Sequence, residues 1–257
     1  MSASVAAGER PAQADRTHPL ARGVHLAAVW SGPLFLIAYS IAFWGIAQFM
    51  PPPSPRLDPG QVATFFADHQ ERIRVGLVLG LVATTLLFPF FAAISAQIAR
   101  VERGRFPLLA MIQYGGAVLL VVFFVMCHML WIGATYRSEL DPSMVRMLND
   151  LSWLIFVMVF PAYVLQMLCI TLASFLDTSA NPTFPRWLGY FCAWNGTAGM
   201  GGGAAVFVKH GPLAWNGVVG FWIPLSMFAI WLVVMTVVLR RAVVRQFDEP
   251  GLEGLQL

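Results

Sequence analysis

The sequence predicts an all-α membrane protein, a bundle of six transmembrane helices with a short amphipathic helix at the outer interface. Two observations carry that prediction. Six stretches, residues 24–50, 75–99, 107–136, 151–176, 187–208 and 214–239, contain no Asp, Glu, Lys or Arg. At about 1.5 Å of rise per residue, each is long enough to cross a hydrocarbon core about 30 Å thick. The composition agrees, because 58% hydrophobic and 11% charged residues are too apolar a mixture for one domain in water.

Residues 1–22 form a polar tail, read as cytoplasmic and disordered. Residues 23–243 form the transmembrane domain, and residues 244–257 a second cytoplasmic tail. The first tail holds Glu9 and Asp15 and leads into an apolar stretch far longer than the core of a signal peptide. With no small-residue cleavage site after it, that stretch reads as a retained helix.

Two connecting loops share a pattern: Leu57-Asp58-Pro59-Gly60-Gln61-Val62 and Leu140-Asp141-Pro142-Ser143-Met144-Val145. In each, Asp can accept from the free amides of a helix start while Pro takes the first helical position, where no N–H is needed. After the first, Val62, Phe65, Phe66 and His69 recur at helical spacing, which suits a helix lying on the outer membrane interface. The second is expected to run straight into the fourth span.

Pro89, Pro161 and Pro224 fall near the middle of the even-numbered spans. Each removes a ladder bond and should bend its helix, leaving carbonyls near Thr85, Val157 and Gly220 in need of other partners. The similar strings Phe88-Pro89-Phe90 and Phe160-Pro161-Ala162, together with the shared loops, are consistent with a duplicated helix pair. Prolines tolerated singly in membrane helices explain them equally well. The fifth span carries Gly196, Gly199, Gly201, Gly202 and Gly203. Gly199 and Gly203 have the spacing that lets two backbones approach; the alternative is a locally unwound helix lining a cavity.

Charge sets the expected orientation. Arg10, Arg16, Arg22, Arg100, Arg103, Arg105, Arg186, Arg240, Arg241 and Arg245 fall on one side of a six-span topology. Arg56, Arg72, Arg74, Arg137, Arg146 and Lys209 fall on the other. The excess places both termini in the cytoplasm. The scattered cations form no basic stripe with interleaved aromatics, so nucleic acid is not an expected partner. Cys127, Cys169 and Cys192 lie within spans without CxxC or zinc spacing and read as packing residues. Asn195-Gly196-Thr197 matches a glycosylation sequon at a depth no transferase reaches.

The chemistry-bearing residues fall into two groups. In the outer half, His128 is the one histidine deep in a span. Asp150, Tyr136, His69 and His210 are its expected neighbours, with His69, His128 and His210 as candidate metal ligands and His128, Asp150 and Tyr136 as candidate catalytic groups. Their spacing matches no local ligand motif, so any such site must be assembled by tertiary contact. In the inner half, Gln97, Gln113, Tyr114, Gln166, Tyr190 and Asn195 can either bond helix to helix or line a neutral ligand cavity. The absence of an acid or Lys in the spans removes the usual carrier of proton- or sodium-coupled transport. No Ser-His-Asp set shares one depth, and five dispersed histidines do not make the clusters of membrane desaturases.

The strings Phe184-Pro185-Arg186-Trp187-Leu188-Gly189-Tyr190-Phe191 and Gly211-Pro212-Leu213-Ala214-Trp215-Asn216-Gly217 resemble segments of a family of uncharacterised bacterial multi-helix integral membrane proteins. The resemblance implies a place in the bacterial cytoplasmic membrane and no activity or cofactor. Three functions stay open. One is a non-catalytic carrier, binder or accessory subunit for an apolar or lipid-like molecule. Another is a membrane enzyme or redox protein with metal or haem at His128. The third is an assembly subunit docking another membrane subunit through the glycines of the fifth span.

Overall fold

The structure, a computed structural model, describes residues 14–104, 106–137 and 141–248. Among these residues every regular element is helical and no strand occurs. Helix α1 (Ala14–Ser40) begins within the range read as a tail and ends in a π-turn, Ile41–Ile46. The remainder of both tails, residues 1–13 and 249–257, lies outside the described residues, as do Arg105 and Leu140.

Helix α2 (Pro59–Asp68) starts as the first shared loop implies. Gln61 N–H donates to Asp58 Oδ1 at 2.9 Å and Asp58 N–H to Gln61 Oε1 at 3.1 Å, with Pro59 in the first turn. This reciprocal pair satisfies two donors that the helix itself leaves free. Val62 and Phe66 are buried, and His69 donates from Nδ1 to the Phe65 carbonyl at 2.9 Å. Helix α3 (Gln70–Thr84) follows at once, then α4 (Leu87–Val101), α5 (Leu108–Tyr136), α6 (Pro142–Val157), α7 (Phe160–Leu176), α8 (Arg186–Gly199) and α9 (Ile223–Asp248). A 3-10 turn, Met200–Val206, extends α8, and a π-turn, Val218–Trp222, precedes α9.

Among the described residues, five helical stretches are long and apolar enough to cross a membrane: Pro19–Ile46, Gln70–Glu102, Leu108–Tyr136, Pro142–Leu176 and Val218–Asp248. They fit a multi-pass membrane protein. The stretch 187–208, expected as another span, is not among them. Its α-helix stops at Gly199 after 14 residues, and its glycines, Asn195, Trp187 and Trp194 dilute its hydropathy.

Side-chain bonds gather the chain ends and turns into two groups. At one end, Arg22 pairs with Asp248 at 2.7 Å, Arg103 with Asp177 at 3.8 Å, and Arg245 donates to the Pro182 carbonyl at 3.0 Å. There Glu102 accepts from the Leu109 and Ala110 amides at 2.9 and 3.1 Å, holding the start of α5 with charge of the favourable sign. At the other end, Trp215 Nε1 donates to the Pro53 carbonyl at 2.8 Å, and Gln70 to that of Thr135 at 2.6 Å. The segment between Pro182 and Trp215, α8 with its 3-10 turn, therefore runs from one end to the other.

The prolines do not sit mid-helix in the way their sequence positions imply. Residues 85–86 and 158–159 are turns, so Pro89, Pro161 and Pro224 each fall in the first turn of a fresh helix, α4, α7 and α9. The physical reason is the one that made them suspect: the first turn needs no N–H from them. The glycine run of α8 answers these breaks. A Cβ on Gly202 would run into the Val157 carbonyl oxygen, and one on Gly201 into that of Val219. Pro161 has no N–H to return to Val157, and in the π register of the Val218–Trp222 turn Pro224 has none for Val219. Bare glycine Cα groups cover those oxygens instead, at the range of weak C–H···O contacts.

Candidate functional site

Where the α6–α7 break meets the start of α9, the bundle forms a partly open apolar cavity of about 70 Å³. Its walls come from α5 (Leu120, Phe124), the α6–α7 break (Phe156, Val157, Val159, Phe160, Tyr163), α8 (Gly199) and the start of α9 (Gly220, Phe221, Pro224, Leu225, Phe228). Phe124 and Phe156 meet at 5.3 Å between ring centroids, Phe156 stacks on Phe221 at 6.2 Å, and Tyr163 meets Phe228 edge-on at 5.8 Å. The one polar side-chain atom on the walls is the Tyr163 hydroxyl, which donates to Asn195 Oδ1. Asn195 Nδ2 in turn donates to the Met227 carbonyl at 3.0 Å.

Asn195 thus stands one bond behind the cavity, and Gln97, Gln113, Tyr114, Gln166 and Tyr190 do not line it. Gln113 accepts from Ser95 and donates to Gln166 Oε1 at 3.4 Å. Gln97 donates to Gln246 at 2.9 Å and accepts from Arg100 at 2.6 Å. Tyr190 is exposed against Phe175, and Tyr114 is exposed on α5. The structure joins Gln113 with Gln166 and Asn195 with Tyr163, in separate sets.

His128 is fully buried, and the structure does not bring Asp150 or Tyr136 to it. Its Nδ1 lies 2.6 Å from the Phe124 carbonyl, four residues back on α5. A carbonyl only accepts, so Nδ1 carries the hydrogen and Nε2 of the neutral ring is an acceptor. Tyr39, Phe43 and Trp131 surround the ring at centroid distances of 5.5, 6.0 and 5.9 Å. Gly80 backs it so closely that an added Cβ would lie 2.9 Å from Nε2. Asp150 accepts from Asn149 at 3.3 Å, and Tyr136 is exposed beneath the Arg137 guanidinium. His69 is bound to its own helix and His210 is exposed in the turn after Phe207. Among the described residues no group of three or more His, Cys, Asp or Glu side chains could hold a metal ion.

The ring cluster around Phe43 leaves Tyr39 Oη, His128 Nε2, Trp131 Nε1 and Trp153 Nε1 buried without a hydrogen-bond partner. Phe124, Phe156 and Phe221 separate this cluster from the cavity, touching both.

The chain matches no family model, no curated protein and no solved structure.

The glycine face of α8 is already occupied from within. Gly199 backs onto the Tyr163 ring and Gly203 onto Phe160. The aromatic walls of the cavity were not singled out by sequence reasoning, because Phe124, Phe160 and Phe228 stand on three separate helices. The available signal was the pairing of mid-span prolines with a glycine run, which marks where helices break.

Proposed function

We propose that the protein is a six-span protein of the bacterial cytoplasmic membrane, both termini cytoplasmic, that binds or carries an apolar or amphipathic molecule without catalysing a reaction on it. The apolar cavity among the α6–α7 break, α8 and the start of α9 carries the reading. Discontinuous helices meeting at mid-depth are where membrane carriers form their sites. The neutral lining suits an uncharged guest, since nothing on the walls would offset the cost of desolvating a charge.

The topology rests on the two groups of end contacts. Arg22 against Asp248 puts both ends of the described chain at one end of the bundle, which an even number of crossings requires. α8 and its 3-10 turn supply the crossing that the other five helices lack. At about 1.5 and 2.0 Å per residue the two together reach roughly 35 Å. The arginine excess at that end favours the cytoplasmic side.

The test is native mass spectrometry of the protein released from nanodiscs, beside Leu225→Trp, which fills the cavity. A retained apolar mass in the wild type, lost in the variant, is the expected result. Equal retention, or no retained mass in either, would overturn the cavity as a binding site.

A further inference from the structure

We propose that the cavity selects a neutral, planar conjugated ring over a saturated chain, an inference that rests on the binding role proposed above. The bilayer itself is the competitor for any apolar ligand. Lipid tails are as apolar as Leu or Val, so a saturated guest gains little by leaving them for a pocket of equal polarity. An aromatic wall offers what a lipid tail does not. Ring faces carry negative and ring edges positive charge density, and a flat conjugated guest can meet both.

Six side chains give the cavity this character: Phe124, Phe156, Phe160, Tyr163, Phe221 and Phe228. They belong to α5, the two sides of the α6–α7 break, and the start of α9, so rings approach from several directions. Their mutual angles run from 27° at Phe156–Phe221, through 53° at Phe124–Phe156, to 69° at Tyr163–Phe228. A guest therefore finds both faces and edges. The Tyr163 hydroxyl has given its hydrogen to Asn195, so it holds its ring in place and presents no free donor to a carboxylate or phosphate.

Size narrows the guest further. An engineered apolar cavity of about 150 Å³ holds benzene, and this one, at about 70 Å³, is roughly half as large. It admits the leading part of a ring, and because the cavity is partly open the rest of the molecule can extend beyond it.

The experiment uses the full chain in detergent micelles, with 1-fluoronaphthalene as probe read by fluorine NMR. Naphthalene and decalin, planar and puckered molecules of the same ten-carbon skeleton, serve as competitors. The expected result is a saturable shifted resonance that naphthalene displaces about tenfold more effectively than decalin, the ratio that one or two good ring contacts supply. Phe160→Leu and Phe228→Leu should shrink that preference while keeping binding, and Leu225→Trp should remove the resonance. Equal displacement by decalin would overturn the planar-ring inference and leave the binding role standing. No saturable resonance, together with displacement of the probe by neither competitor, would overturn both.

Discussion

Gly76 on α3 packs against the backbone of another element with no room for a side chain. The π-turn that ends α1 closes with Ala47 N–H donating to the Ala42 carbonyl at 2.9 Å. A Cβ added at Gly76 would lie 2.6 Å from both of those atoms and 2.7 Å from Ala47 Cβ. Carbon and oxygen tolerate each other from about 3.3 Å, so Gly76→Ala forces a relative shift of about 0.7 Å between α3 and the π-turn. Both sides are backbone, and no rotamer can relieve them. Overpacking of this kind costs about 1–3 kcal/mol. The smaller conformational freedom of Ala in the unfolded chain returns about 0.4–1 kcal/mol. The expected net loss is about 1–2 kcal/mol, a five- to thirtyfold fall in the roughly two-state folding constant. Gly115 on α5 is the internal control, since a Cβ there meets nothing within 4 Å. Gly115→Ala should match or exceed wild-type stability. The assay is an SDS unfolding titration in mixed micelles, followed by circular dichroism. Equal midpoints for the two variants would refute the close approach of α1 to α3.

Other expectations follow from the same contacts. His128→Phe should destabilise by about 1–3 kcal/mol in that titration, because the larger ring is forced against Gly80 and the Nδ1 bond to the Phe124 carbonyl is lost; unchanged stability would contradict the close packing of the imidazole. In a background lacking the native cysteines, Lys209→Cys and Asn181→Cys should react with a membrane-impermeant thiol reagent from opposite faces, and labelling from one face would remove the α8 crossing. Acid should loosen the loop after α7. Burial acts to raise the Asp177 carboxyl, but the Ser179 hydroxyl, the Thr183 and Ser179 amides and the Arg103 guanidinium together hold it below the ordinary range. A depressed folded-state pKa adds stability above the unfolded value of about 4, lost as pH falls below it. Melting of wild type and Asp177→Asn should therefore differ at pH 6 and converge toward pH 3; a constant gap would contradict the assignment.

Much of the fold was legible because its causes are local. Asp58 and Gln61 close their capping box three residues apart, and Asp141 accepts from the Ser143 amide ahead of Pro142 at the start of α6, without a reciprocal partner. The site was less legible because its parts lie far apart in sequence. Gln113 meets Gln166, and Tyr163 meets Asn195, across separations that no periodicity encodes. The His128 imidazole takes its orientation from the Phe124 carbonyl, one helical turn away on its own helix, while Asp150 bonds its neighbour Asn149.

From its sequence alone the chain is determined to be helical and apolar enough for repeated membrane crossing, with Pro89, Pro161 and Pro224 marking where a helix restarts while Pro33 stays within α1. Hydropathy and the missing N–H act on each segment by itself, so they can be read without knowing its neighbours. Tertiary structure decided what the breaks are for. Gly201 and Gly202 pack onto the carbonyls of Val219 and Val157, and rings from four helices line the cavity beside them. Those contacts depend on the depth and rotation of each helix against the next, which are set by close packing between segments and leave no periodic trace in any one of them.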